Sequence, residues 1–89
     1  MKQLDLFGNE VKLSIHEILK KYSGAYKAVG TVIENEIPVG GTANSYDIYQ
    51  FLKSVYKVDF PTFQFAMKEL VRRNAIEWDV KSYIIKRNY

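Results

Sequence analysis

Along most of this chain apolar residues recur at helical spacing, and only near residue 76 does the interval shorten to two. Ile15, Ile18, Leu19 and Tyr22 fall at i, i+3, i+4 and i+7, which predicts an amphipathic helix. Ser14 with Glu17 three residues on has the form of a capping box, and Leu13 with Ile18 that of a hydrophobic staple. Lys20 and Lys21 suit the negative end of the helix dipole, and Gly24 is the expected stop. Asn44 or Ser45 can cap a second helix, with Ile48, Phe51, Leu52 and Val55 as its buried stripe and an end near Lys57. Asp59 can cap a third, in which Pro61 is tolerated because a first-turn N–H has no helical partner. Phe63, Ala66, Met67, Leu70 and Val71 form its stripe, Arg72 and Arg73 close it, and Asn74 can take the left-handed position beyond it. Ile76, Trp78 and Val80 then alternate with Glu77 and Asp79. With a turn near Lys81-Ser82 and a return through Tyr83-Ile84-Ile85, residues 77–85 read as a β-hairpin.

Residues 25–43 obey neither period cleanly. Tyr26, Val29, Val32, Ile33 and Glu36 lie near helical spacing, but Gly30, Thr31 and the valines lower helix propensity. A strand over residues 29–33 is the competing reading. We expect helix or irregular structure over 25–35 and a short strand near Glu36 to Val39, ended by Pro38 and Gly40-Gly41. The fold class is therefore α+β, with three main helices and a C-terminal hairpin. In element order, though not in any sharp motif, residues 12–89 resemble the winged helix-turn-helix family. The resemblance implies that Phe60 to Arg73 is a recognition helix and the hairpin a wing. The long 23–43 connection departs from it.

Ahead of the first helix, Gln3-Leu4-Asp5-Leu6-Phe7 crowds apolar side chains into a segment too short to fold alone. All five positions resemble the peptide with which bacterial replication and repair proteins dock on the β sliding clamp. The resemblance implies that Gln3 anchors by polar contacts while Leu4, Leu6 and Phe7 fill an apolar pocket and Asp5 faces water. Ordering an extended peptide costs about 1–2 kcal/mol per residue. Each large apolar side chain buried returns about 1.5–3 kcal/mol. The balance is binding on the order of micromolar, suited to a protein that visits a shared platform and leaves. The alternative is that Leu4-Asp5-Leu6 is an edge strand or an N-terminal arm packed on its own fold or a second subunit. Residues 1–11 are thus expected to be an extended docking peptide and residues 12–89 the winged-helix-like domain.

Eighty-nine residues with 47% apolar content make one small domain with a real core. With no cysteine, there is neither a disulfide framework nor a thiolate metal site. No leader or membrane-length apolar run stands out, so a cytoplasmic protein without membrane contact is expected. The charge is uneven. Residues 1–52 carry five lysines against six acids, net −1, whereas residues 53–89 carry eight Lys or Arg against four acids, net +4.

That basic half makes double-stranded DNA a candidate partner. The winged-helix resemblance implies a face of Thr62, Gln64, Phe65, Lys68, Glu69 and Arg72 on the recognition helix, with Arg73 at its end. Lys81, Lys86 and Arg87 lie near the wing. Phe65 and Glu69 weigh against a strong DNA surface, and ordinary solvated charge on a protein-binding domain is the alternative. His16 is the only histidine and lacks neighbours for a metal set, so helix packing or solvent exposure accounts for it. Glu34-Asn35-Glu36 reads as a polar loop, and Gly40-Gly41-Thr42 lacks the Lys-Ser/Thr of a phosphate loop. Tyr46, Tyr49 and Tyr56 can pack at the core edge or form an exposed aromatic patch. The expected function is a non-enzymatic, cofactor-free accessory or inhibitor of bacterial or phage DNA replication docked on the sliding clamp. A winged-helix transcription regulator with an N-terminal dimerisation arm is the alternative.

Overall fold

The computed structural model of the chain describes residues 13–22 and 24–89; the peptide Gln3 to Phe7 lies outside the described residues. The elements follow in the order α1 (Ile15–Lys20), α2 (Gly24–Glu36), β1 (Thr42–Asn44), α3 (Ser45–Tyr56), α4 (Phe60–Arg72), β2 (Ile76–Asp79) and β3 (Ile84–Arg87). The described residues form an α+β fold of four helices and a three-stranded antiparallel sheet in the order β1-β3-β2.

Helix α1 is too short to hold itself, so its first turn is tied. The Ser14 side chain accepts from the Glu17 N–H at 3.0 Å and the Glu17 carboxylate accepts from the Ser14 N–H at 3.3 Å, completing the capping box. A second carboxylate, Glu34 on α2, accepts from the His16 N–H at 2.7 Å. His16 Nδ1 lies 2.8 Å from the Thr31 hydroxyl, so the one histidine is a packing residue between α1 and α2. Gly30 makes that closeness possible. A Cβ built there would stand 3.0 Å from His16 Cα and 3.3 Å from the Ile15 carbonyl oxygen, both backbone atoms.

The core gathers Ile15, Ile18 and Leu19 from α1, Val29, Val32 and Ile33 from α2, Leu52 from α3 and Phe63, Met67 and Leu70 from α4. Ile76 and Ile85 close it from the sheet. Trp78 packs edge-on against Phe63, 5.9 Å between ring centres. On β3, Ile85 faces the core between Ala43 of β1 and Trp78 of β2, as the register requires. Arg87 points the same way and is anchored there. Its guanidinium donates to the carbonyls of Glu34 in the last turn of α2 (3.2 Å) and of Ile37 just beyond it (2.8 Å), and to Tyr89 O (3.1 Å). A cation on the C-terminal carbonyls of a helix satisfies acceptors that have no intrahelical donor.

Several expectations need correction. The described residues form four helices, because residues 24–36 are one continuous helix and Gly24 opens it instead of ending α1. Burial of Ala28, Val29, Gly30, Val32 and Ile33 outweighs their poor propensity. Glu34-Asn35-Glu36 is therefore helix, not loop. The first strand sits at Thr42–Asn44 instead of Glu36 to Val39. Pro38 to Gly41 is a turn closed by Gly41 N–H to Pro38 O at 2.8 Å, with Gly40 at φ +81°. The hairpin turn is longer than expected, so Val80 and Tyr83 belong to it and stay exposed. Tyr22, Phe51, Val55 and Val71, placed on buried stripes by spacing, are also exposed.

Candidate interaction surface

Helix α4 starts where chemistry permits. Asp59 is extended and accepts from the Thr62 N–H at 3.0 Å, while Pro61 takes the first turn without losing a bond. The side-chain and backbone hydrogen bonds from Thr62 hold the Asp59 carboxyl below its usual range. Val58, buried between α3 and α4, fixes the corner, and Lys57 turns it with a left-handed φ of 60°. Asn74, also left-handed at φ 65°, ends the helix as expected.

With Phe63, Ala66, Met67 and Leu70 committed to the core, helical geometry leaves Pro61, Phe65, Lys68 and Arg72 along the outer ridge. Phe65 is 65% exposed, the most open of the large apolar side chains among the described residues. Thr62 and Gln64 are half-buried on the flanks. Glu69 lies beside the ridge and holds two cations at once. Its carboxylate accepts from Arg72 Nη2 at 2.8 Å and Nε at 3.2 Å, and from Arg73 Nε. Arg73, then Arg72, hold the Glu69 carboxyl below the ordinary glutamate value, and Glu69 in turn raises Arg73.

The six cations named as DNA-contact candidates are therefore not equivalent. Arg72 and Arg73 share one carboxylate. Arg87 is turned inward to the α2 carbonyls. Lys86 lies on the outer sheet face directly across from Glu77. Lys68 and Lys81 make no ion pair among the described residues, one on the ridge of α4 and the other in the hairpin turn. That turn is fastened by Asp79, whose carboxylate accepts from the backbone N–H groups of Lys81 and Ser82 and from the Ser82 hydroxyl. The Ser82 bonds above all hold the Asp79 carboxyl low.

The other exposed rings fall into separate pairs. Phe51 and Tyr56 on α3 stand 6.1 Å apart near the exposed Val55, and Tyr46 meets Tyr83 of the hairpin turn at 6.5 Å. Tyr49 instead packs between Phe60 and Phe63, 5.3 Å from each. Tyr46, Tyr49 and Tyr56 thus form no common patch. Sequence periodicity missed the exposure of Phe51, Val55 and Tyr83, because a stripe drawn from spacing does not say how wide its cover is.

Among the described residues no group of three His, Asp or Glu lies together in a way that could hold a metal ion. No described helix is long and apolar enough to cross a membrane. Comparisons with protein-family models, with curated proteins and with solved structures find no match to this chain.

Proposed function

We propose that this chain is a non-enzymatic accessory or inhibitor protein of bacterial or phage DNA replication. In this reading Gln3 to Phe7 docks on the β sliding clamp and a winged-helix-like body contacts DNA or another replication protein. The observation that carries it is the peptide Gln3-Leu4-Asp5-Leu6-Phe7, five matching positions ahead of the first capped helix at Ser14. The body supports it through element order. Leaving α1 aside, the order of a helix, a short strand, two helices joined at a tight corner and a hairpin, with β3 between β1 and β2, resembles that of a winged helix-turn-helix. Helix α4 then corresponds to the recognition helix and β2–β3 to the wing. Tethering by the peptide raises the local concentration of the body, so weak contacts by that body suffice.

The engagement of Arg73 and Arg87 within the fold, with the exposed Phe65 ring on α4, favours a protein over a DNA duplex as the body's partner. DNA contact would rest on Lys68 and Lys81 with help from Thr62, Gln64 and Arg72. Its affinity would then fall only shallowly with salt, with a slope on the order of −2 to −3.

Titration calorimetry with purified β clamp tests the reading. The full chain binds, and Leu6→Ala with Phe7→Ala abolishes the heat. A double variant that binds like wild type sinks the clamp assignment. Deleting residues 1–10 separates the regulator alternative: it leaves melting unchanged for a docking peptide, but lowers it or dissolves a dimer for a dimerisation arm.

A further inference from the structure

The ridge of α4 has a composition that points to one kind of ligand. Phe65, at its middle, lies one turn from Pro61 on one side and from Lys68 on the other, and Arg72 follows a turn later. An apolar ring this open, on a helix whose opposite face is sealed in the core, gains by being covered. The groups around it decide by what. Lys68 has no ion-pair partner among the described residues, and Arg72 reaches its one carboxylate, Glu69, with the guanidinium still largely in solvent. The nearby acids are already occupied: Asp59 caps α4, and Glu69 is shared between two arginines. The ridge therefore offers positive charge on one side of an apolar centre and no unengaged carboxylate.

A second copy of this chain would bring the same positive charges against them. A duplex would reward Lys68 and Arg72 but leave the Phe65 ring against phosphates. A partner with an apolar residue followed by carboxylates on one side matches Phe65, Lys68 and Arg72. We propose that the outer ridge of α4 docks an acidic amphipathic helix of a partner protein, which seats an apolar side chain on Phe65 and sets carboxylates on Lys68 and Arg72. This deepens the protein-contact arm of the reading above and rests on that arm, not on clamp docking.

The test is selection of a displayed library of random 16-residue peptides on the full chain. The counter-selection uses Phe65→Ser, an exposed change whose folding is checked by thermal melting. The expected winners carry an apolar residue with Asp or Glu at helical spacing. They lose at least tenfold in affinity on Phe65→Ser and on Lys68→Glu, and regain binding to Lys68→Glu when one of their acids is changed to Lys. Winners of neutral or basic composition overturn the proposal, as do winners indifferent to Phe65→Ser. So does a wild-type dimer that Phe65→Ser dissolves in sedimentation equilibrium, or binding to a labelled 20-base-pair duplex that Lys68→Glu abolishes while no acidic peptide is selected. The same winners are assayed on Leu6→Ala with Phe7→Ala, where they bind as to wild type. Loss of clamp binding and loss of ridge binding are thereby read separately.

Discussion

Helices α2 and α4 have the same length and obey the same spacing, yet they end with opposite surfaces. Helix α2 is wrapped: α1 lies on it, α3 and α4 flank it, and Arg87 closes its last turn. Its poor helix formers are tolerable because neighbours on several sides supply what propensity does not. Helix α4 is a better helix on its own account, capped by Asp59 and free of interior glycine, and it needs cover on one face only. What α2 spends on packing, α4 leaves outside as Phe65, Lys68 and Arg72. The lesson is that a scaffold helix and a display helix can share periodicity. The width of the buried band separates them.

That contrast can be broken most severely at the centre of α2. Ile33 is fully buried, so Ile33→Ala should destabilise by about 2–5 kcal/mol, read as a loss of roughly 10 °C or more in Tm. A loss under about 1 kcal/mol would mean that α2 is not the scaffold described. Next comes its tether. Arg87→Met strips two carbonyls at the end of α2 of a charged donor and should cost about 1.5–3 kcal/mol by urea unfolding. Were Arg87 a surface cation, the midpoint would not move.

On α4 the effects should shrink. The carboxyl of Glu69 titrates below its ordinary value in the folded state, so its contribution is present above that value and lost as pH falls through the depressed one. Glu69→Gln should therefore melt lower than wild type at pH 7, by about 0.5–1 kcal/mol. The gap should close in acid, and a gap independent of pH would assign the effect to packing. Smallest of all is Phe65→Ser, expected within about 0.5 kcal/mol of wild type by melting. A large loss there would place Phe65 in the core and remove the distinction between the two helices.

The sequence carried some of this openly. Ser14 with Glu17, Asp59 with Pro61, and Asn74 announce three helix ends by local hydrogen-bond chemistry, and the structure has all three. The change of period at Ile76 likewise announces the hairpin. Helix α2 was harder to read because its stability is tertiary: Gly30 reads as a breaker until α1 is seen lying so close that a Cβ there would stand 3.0 Å from His16 Cα. Strand β1 was misplaced because three residues carry no period, and its pairing with β3 joins positions far apart in the chain. At the candidate surface, Lys68 and Phe65 were legible as outward residues from helical geometry. The inward turn of Arg87 was not, since only the fold brings the end of α2 beneath it. Residues Gln3 to Phe7 rest on their pattern alone.

Strand β3 follows every other described element in the chain, yet it occupies the middle of the sheet. Neither β1 nor β2 touches the other, so each has no ladder partner until residues 84–87 arrive. During synthesis the helices can collapse early while the sheet waits for its keystone. A stop codon before Ile84 would release a chain with two orphan strands and no sheet at all.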